Sequence, residues 1–387
     1  MDITASVVAT VFVTALTLLI SRLIMTPPIN IKNWSPFKID ALGIVTLLGA
    51  DAVRKSLGRL VYSPFEYYPL LAGYIFADNS VMEPIPGFEL YNITEGIKAT
   101  DLSAWFTRWL SFQKLSYNST RLEIQSVPRA SGPQTEQWFV IGLALLVNVF
   151  LVMWPVLIED WYGLAASLSL VALVVVRVCI LFDFRGSIDK AVSKLDDQAT
   201  KQNEVKLFIT LPNGKRLTVI TTTGIAQDVL LTEARPASEK LHLVSRAICW
   251  LAFGVHAVTL GMACLAVQLV IITVTLVPSV AMIQGWFSEG SNSDETCIGN
   301  RLSITQSHDG SAGSNASQYV CLEMTEAEEQ NMVAWSFFPT QHNKLWLPTY
   351  EKFKEDFKAT RDPKILGSWK KRMQLAHANA NAGQQTQ

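Results

Sequence analysis

The feature that most constrains this chain is an uncharged apolar run in its second half. Residues 247–287, AICWLAFGVHAVTLGMACLAVQLVIITVTLVPSVAMIQGWF, contain no Lys, Arg, Asp or Glu. A bilayer core of about 30 Å needs about 20 apolar residues in a helix, and a single straight helix of this length would reach about 60 Å. The run therefore predicts two membrane spans joined by a tight turn within residues 262–268.

Three further apolar runs have the length of a span. Residues 4–25 predict an uncleaved first span, because the preceding Met-Asp-Ile lacks the positive charge of a signal peptide. Residues 138–158 and 161–182 predict another hairpin, since Glu159 and Asp160 are the separating residues. The predicted fold class is a mainly α, polytopic helical membrane protein with about five spans.

The polar segments between these spans predict a small α+β extramembrane domain. Because each hairpin returns the chain to the side it left, the polar segments share one face. In chain order we expect a first transmembrane span at 4–25, an extramembrane segment with interfacial helices at 26–137, a transmembrane hairpin at 138–182, an extramembrane segment with a β-hairpin at 183–245, a transmembrane hairpin at 246–287, an extramembrane α segment with a flexible loop at 288–376, and a disordered tail at 377–387.

The strongest strand signal lies at residues 205–222, VKLFITLPNGKRLTVITT. A two-residue Asn-Gly turn would mix apolar and polar side chains on each face of the hairpin. A bulged turn with Gly214 in the left-handed region pairs Ile209 with Leu217 and gathers the apolar side chains on one face, so we choose this register. A lone hairpin is marginal in water, which predicts a third strand or a covering segment at residues 225–231.

Two helical signals stand out in the polar segments. One is an aromatic stripe at helical spacing, which suits either the lipid headgroup region or packing within the domain; it comprises Leu102, Trp105, Phe106, Trp109 and Leu110. The other is Thr325 with Glu328, a capping box that predicts the start of a helix. Further on, EKFKEDFKAT and ILGSWKKRMQLA predict two short amphipathic helices.

Two signals disagree about the side on which the domain lies. Glycosylation sequons at Asn92, Asn118 and Asn315 indicate a luminal or extracellular face. Cys297 and Cys321 are the two cysteines outside the apolar runs, and they flank a Ser/Gly-rich segment that a disulfide would close. We favour the luminal or extracellular face and predict a Cys297–Cys321 disulfide.

Basic residues indicate the opposite orientation. By the positive-inside rule, the face that carries them would be cytoplasmic; they are Arg22, Lys32, Arg177, Arg185 and Arg246. A fourth sequon at Asn33 is weakened by the following Pro36. Arg177 lies about one and a half turns from its helix end, where snorkelling to the interface explains it.

Two polar residues inside the spans are candidate functional groups, because burial of such groups in lipid is costly. His256 lies near mid-depth in its span, and Asn148 lies at similar depth in the 138–158 span. We predict a hydrogen bond between them. A structural role is favoured over a proton-handling or ligand-binding role.

Composition and motifs support no cofactor, metal or nucleic-acid partner. The formal net charge is −1, and the five histidines are scattered. Residues 194–198, KLDDQ, resemble the acidic motifs of prenyl-diphosphate enzymes but lack the second acidic cluster. The expected partners are the lipid bilayer and a protein that the sequence does not identify.

The segment KLFITLPNGKRLTVITTTG, placed between span hairpins, resembles in layout multi-span membrane proteins of filamentous fungi that lack assigned activities. The resemblance implies a fungal membrane setting and gives no residue roles. We expect an integral protein of the endomembrane system or plasma membrane with a non-catalytic interaction, scaffolding or sensing role. The alternative is a membrane-embedded enzyme or accessory protein of a lipid or terpenoid (secondary-metabolite) pathway, with His256 and Asn148 at its site.

Overall fold

The computed structural model describes residues 50–70, 73–77, 80–113, 115, 120–128, 135–196, 198, 202–286, 295–308, 314–339 and 343–384. The predicted first span at 4–25 lies outside the described residues, as do Asn33 and Asn118. The chain is mostly helical with a mixed sheet. It divides into a span unit (Met1–Glu83, Arg129–Asp189 and Ala234–Asn300) and a sheet unit (Pro84–Pro128, Lys190–Glu233 and Arg301–Gln387).

The helices and strands of the described chain are numbered in order. The α-helices of four or more residues are α1 (Ala50–Leu57), α2 (Ala104–Phe112), α3 (Thr135–Leu157), α4 (Trp161–Asp196), α5 (Glu239–Met262), α6 (Leu265–Ile283), α7 (Asn315–Cys321), α8 (Glu326–Ala334), α9 (Trp346–Thr360), α10 (Pro363–Leu366) and α11 (Trp369–Gln384). The strands are β1 (Glu89–Asn92), β2 (Ile97–Ala99), β3 (Thr120–Ser126), β4 (Glu204–Thr210), β5 (Arg216–Thr222), β6 (Glu295–Ile298) and β7 (Leu302–His308).

Four helices of the span unit, α3 to α6, are long and apolar enough to cross a membrane. Residues 158–160 connect α3 to α4, and residues 263–264 connect α5 to α6. The four apolar helices and the position of the second connector, within the predicted range 262–268, agree with the sequence, and that these helices cross a membrane stays a prediction. Each hairpin forms because a short polar or irregular break interrupts a run that is too long for one span.

Asp160 joins the two connectors. Its carboxylate accepts a hydrogen bond from Gly163 N at 2.9 Å and another from Cys264 N at 2.7 Å. One side chain therefore satisfies N–H groups at the starts of both α4 and α6, which have no partner within their own helices. The contact places the two connectors at the same end of the helices.

The sheet unit contains six strands in the order β2-β1-β4-β5-β3-β7. The β3–β5 pair is parallel, and the pairs β1–β2, β1–β4, β4–β5 and β3–β7 are antiparallel. The predicted hairpin register is confirmed, since Ile209 pairs with Leu217. Gly214 has φ +75°, the left-handed conformation that the bulged turn requires.

The predicted third strand at residues 225–231 is wrong. Residues 226–230 form a π-helical turn, and the true neighbours of the hairpin are β1 and β3. The carbonyl of Val229 accepts a hydrogen bond from Trp105 Nε1 at 3.4 Å, and the carbonyl of Leu230 accepts one from Ser103 N at 2.8 Å. This turn therefore packs on α2.

Helix α2 is buried within the sheet unit, which confirms domain packing over the headgroup alternative. Every residue of Ala104–Leu110 is buried, including Arg108. An aromatic stripe serves as core here because α2 has apolar neighbours on more than one side.

The C-terminal helices surround an aromatic core against the sheet; its buried rings are Tyr91, Phe208, Tyr319, Phe338, Trp346, Tyr350 and Phe353. Helix α8 begins with the predicted capping box of Thr325 and Glu328. The two predicted amphipathic helices correspond to α9 and to α10 with α11. The structure differs from the predicted disordered tail, because α11 continues to Gln384.

Candidate functional site

An irregular segment enters the helices of the span unit. Residues 60–68, called here the inserted segment, contain a 3₁₀ turn at Pro64–Tyr67. Asn148 Nδ2 donates to the carbonyl of Tyr67 at 2.9 Å, and Tyr68 Oη donates to the carbonyl of Val140 at 3.0 Å. Asn148 lies near the middle of the Trp138–Leu157 candidate span, so the inserted segment reaches mid-depth along α3.

Irregular backbone at this depth leaves carbonyl groups without helical partners, and each unsatisfied group in an apolar setting costs several kcal/mol. Arg177 of α4 supplies donors for two of them. Its Nη2 donates to the carbonyl of Glu66 at 2.7 Å and also to the carbonyl of Tyr68. Its Nε contributes a further bond to the Glu66 carbonyl at 3.3 Å.

Arg185, two turns further along α4, supplies donors at the other end of the segment. Its Nε donates to the carbonyl of Leu60 at 2.8 Å, and its Nη2 donates to the carbonyl of Val61 at 3.0 Å. The same guanidinium holds both carboxylate oxygens of Glu66, with Nη1 at 2.9 Å from Oε2. Such a fork-to-carboxylate pair is strong and geometrically specific.

Arg59 adds a third guanidinium group near Glu66, and like Arg177 it is buried. Its Nε donates to the carbonyl of Ser56 at 3.0 Å, and its Nη2 donates to Ser56 Oγ at 3.1 Å. Burial lowers the pKa of Arg59 to about 10, and the negative charge of Glu66 opposes that shift. Arg59 therefore stays protonated at neutral pH. Arg59, Glu66, Arg177 and Arg185 together are called here the arginine centre.

The interpretation of Arg177 as a snorkelling side chain is wrong. Arg177 is 1% exposed and points to the inserted segment, not to the interface. Its Nη1 has no hydrogen-bond partner among the residues that the structure describes. The arginine centre therefore keeps an unused pair of N–H donors.

The predicted hydrogen bond between His256 and Asn148 is not present. His256 Nδ1 lies 3.0 Å from the carbonyl of Ala166 on α4. Asn148 Nδ2 donates to Tyr67 and, at 2.8 Å, to the carbonyl of Ala144. Each group therefore contacts backbone carbonyls instead of the other side chain. Asn148 Oδ1 is buried without a hydrogen-bond partner among the described residues.

The predicted glycosylation sites fare differently in the structure. Asn92 is buried in β1, and its side chain both donates to Glu95 Oε2 at 2.9 Å and accepts from Glu95 N at 3.1 Å. A glycan on this nitrogen would break the local turn, so the folded geometry opposes the prediction. Asn315 is half-buried in the first turn of α7, and Asn118 lies outside the described residues.

The predicted Cys297–Cys321 disulfide is not formed. All five cysteines fall within the described residues, and none is at disulfide distance from another. Cys297 lies on β6 of the span unit, whereas Cys321 ends α7 of the sheet unit. Proximity along the chain therefore did not predict the pairing of these cysteines, because the residues between them belong to separate elements.

Sequence reasoning missed Glu66 and the inserted segment entirely. Glu66 lies 111 residues from Arg177 in the chain, and no short motif links the two. Within the described residues, no group of three or more His, Cys, Asp or Glu is placed to hold a metal ion. Among known proteins, no family model, curated protein or solved structure matches this chain.

Proposed function

We propose that this chain is an integral membrane protein in which two helical hairpins anchor a folded domain with a non-catalytic interaction, scaffolding or sensing role. The membrane part rests on one observation, the exposed apolar faces of the span unit. Leu145, Leu146, Leu251 and Val258 are each between 65% and 70% exposed. Water-soluble proteins rarely leave such contiguous apolar surface uncovered, whereas lipid tails would cover it.

Aromatic side chains at the helix ends support the same assignment. Trp138 and Phe139 are exposed at the start of the candidate span in α3, and Trp161 and Tyr162 are exposed near its opposite end, at the start of α4. Tryptophan and tyrosine are enriched at both membrane–water interfaces. The two pairs lie where aromatic residues at the two membrane–water interfaces would be expected.

The sheet-unit side of the membrane is proposed to be cytoplasmic. Asp160 holds both short connectors at one end of the helices, and neither connector contains Lys or Arg, while the first contains Glu159 and Asp160. Arg185 and Arg246 lie toward the opposite ends of α4 and α5. Because the disulfide is not formed and Asn92 is buried, the positive-inside rule becomes the stronger signal.

The scaffolding role is supported by how the sheet unit is assembled. Three chain segments build it, and the two hairpins lie between those segments in the sequence. Each hairpin that enters the membrane therefore tethers the sheet unit to the bilayer through two chain connections. The enzyme alternative has less support, because both of its candidate groups are engaged by backbone carbonyls.

A paired substitution tests this role. We expect His256→Ala to lower thermal stability through loss of its contact with Ala166, and to leave the metabolite profile of the host membrane unchanged. Thr259→Ala on the same helix is the control, since its hydroxyl bonds within the helix to the carbonyl of Val255. Loss of a specific metabolite in His256→Ala, at a temperature where the protein remains folded, would support the enzyme alternative.

A further inference from the structure

We infer that the inserted segment is the tip of a re-entrant strap, which enters the helices of the span unit from the end opposite the connectors, turns at mid-depth and leaves at the same end. The described residues between 56 and 77 are called here the strap. Arg177 and Arg185 hold its tip. This inference deepens the proposed sensing role and rests on the proposed membrane location, because the strap is an element that can move without unwinding a spanning helix.

The entry of the strap lies far from the connectors. Ser56 Oγ at the end of α1 donates to the carbonyl of Met282 at 2.9 Å, which lies about 26 Å along α6 from its connector end at 1.5 Å per residue. Val61 pairs with Ile298 of β6, the strand that follows α6. Between these contacts Leu60 is buried with φ +57°, an uncommon conformation for a residue other than glycine and one found in turns. The chain therefore turns into the helices at this end.

The tip of the strap lies closer to the connectors. The carbonyl of Tyr67 accepts its hydrogen bond from Asn148, which lies about 14 Å along α3 from its connector end. The 3₁₀ turn at Pro64–Tyr67 packs against both α3 and α6, and Ser63 and Glu66 are 4% and 3% exposed. The tip is therefore enclosed by helices, which is the setting in which irregular backbone is tolerated at membrane depth.

The exit of the strap returns to the end at which it enters. The 3₁₀ turn at Gly73–Phe76 packs against α5, and the carbonyl of Ala77 accepts a hydrogen bond from Arg246 Nε at 3.0 Å. Arg246 lies about 24 Å along α5 from its connector end, close to the level at which Ser56 contacts α6. The next turn, Ser80–Met82, packs against α1. Both legs of the strap therefore lie at one end of the helices.

Side chains of α3 and α4 hold the tip. Within residues 63–68 the main-chain hydrogen bonds join residues three apart. In the part of the chain that the structure describes, every hydrogen bond between these residues and the helices uses a side chain. The strap can therefore leave without breaking a helical backbone bond. Docking also keeps Arg177 Nη1 and Ser63 Oγ buried without a partner among the described residues, a cost that release would remove.

The test measures the rate at which a membrane-impermeant maleimide labels single cysteines of the full chain in vesicles, on a background without the native cysteines. Ser63→Cys is a small change at a buried hydroxyl that has no hydrogen-bond partner in the described part of the chain. We expect position 63 to be labelled at least about a hundredfold more slowly than Asp51→Cys, because labelling requires the strap to open. Rapid labelling of position 63 from either side would overturn the strap.

Three variants locate the contacts that hold the tip. Arg177→Gln and Arg185→Gln should each speed the labelling of position 63 about tenfold or more, from the side on which position 51 is labelled, because each removes charge-assisted hydrogen bonds. Arg54→Gln is the control and should leave the rate unchanged, since Arg54 pairs with Asp51 inside α1. Equal rates in all three variants, or labelling from the opposite side, would refute the role of the two arginines.

A second measurement covers the case in which the arginine variants do not fold. Asp51 precedes the entry of the strap and Glu83 follows its exit, and both are exposed. We expect Asp51→Cys and Glu83→Cys to be labelled from the same side of the membrane. Labelling from opposite sides would show that the chain between them crosses the membrane, and would contradict the inference. Glu159→Cys keeps this result separate from the proposed function, because position 159 reports on the α3–α4 hairpin and not on the strap.

Discussion

Arg177 shows how far a single residue can be interpreted from sequence. Its place in an apolar helix correctly marked it as a costly group, but snorkelling was a local explanation for a non-local contact. Its acceptors are the carbonyls of Glu66 and Tyr68, more than a hundred residues earlier. No periodicity or spacing announces such a pair, because the contact depends on where the inserted segment enters the helices.

At the same scale, Gly163 is predicted to be intolerant of any side chain. A Cβ atom there would lie 2.8 Å from Val267 Cγ1 and 3.0 Å from Asp160 Oδ2. Gly163→Ala should therefore lower the free energy of unfolding by about 1–3 kcal/mol through overpacking. Gly261→Ala is the control, because no atom would lie within 4 Å of its Cβ. Equal thermal stability of the two variants in detergent would show that α4 and α6 do not approach closely at Gly163.

At the scale of elements, local chemistry predicted well and non-local pairing did not. The Pro-Asn-Gly turn and the alternating flanks predicted the β4–β5 register correctly, since turn geometry and apolar faces act within a few residues. The capping box of α8 was equally local. The parallel β3–β5 pair joins segments about a hundred residues apart, with both hairpin helices α3 and α4 between them, and so left no sequence pattern.

The β4–β5 turn can be tested by two substitutions at one position. Gly214 has φ +75°, where a β-branched side chain is strained by about 1–3 kcal/mol. We expect Gly214→Val to lower stability in chemical denaturation, whereas Gly214→Asn should cost less because asparagine tolerates this region. If valine and asparagine were equivalent, the left-handed assignment would be wrong.

Glu328 links the start of α8 to the sheet and predicts a pH dependence. Burial alone would raise its pKa, but hydrogen bonds from Thr325 N, Thr94 Oγ1 and Lys206 Nζ favour the ionised form, and the pKa falls below its usual value. A lowered folded pKa means that the stabilisation is complete above the unfolded value of about 4.3 and is lost as pH falls through the folded pKa.

The measurement is the Tm of wild type and Glu328→Gln across acidic pH. Wild type should lose stability relative to the variant as pH falls below about 4.3, because glutamine cannot be protonated there. A constant difference between the two proteins over that range would show that the ionised form of Glu328 is not favoured by folding.

At the scale of the whole molecule, the apolar runs predicted the four membrane-length helices, because the length and composition of such a helix depend on its own run of residues and not on distant ones. The same runs could not predict the sheet unit, whose three segments are separated in the sequence by the two hairpins. Nor could they predict that residues 60–68 enter among the helices, because that segment is too short and too mixed in composition to resemble a span. The sequence singled out Arg177 and Arg185, whereas Arg59 and Glu66 were recognised as part of the site only in the structure.

The most direct test of the account is accessibility to a membrane-impermeant maleimide in intact vesicles. Single cysteines would replace Asp51, Glu159 and Ala237, all exposed in the structure, on a background without the native cysteines. We predict that the Asp51 and Ala237 positions are labelled from one side of the membrane, the cytoplasmic side, and the Glu159 position from the other. Labelling of all three from the same side would contradict the membrane-spanning hairpins on which the proposed function rests.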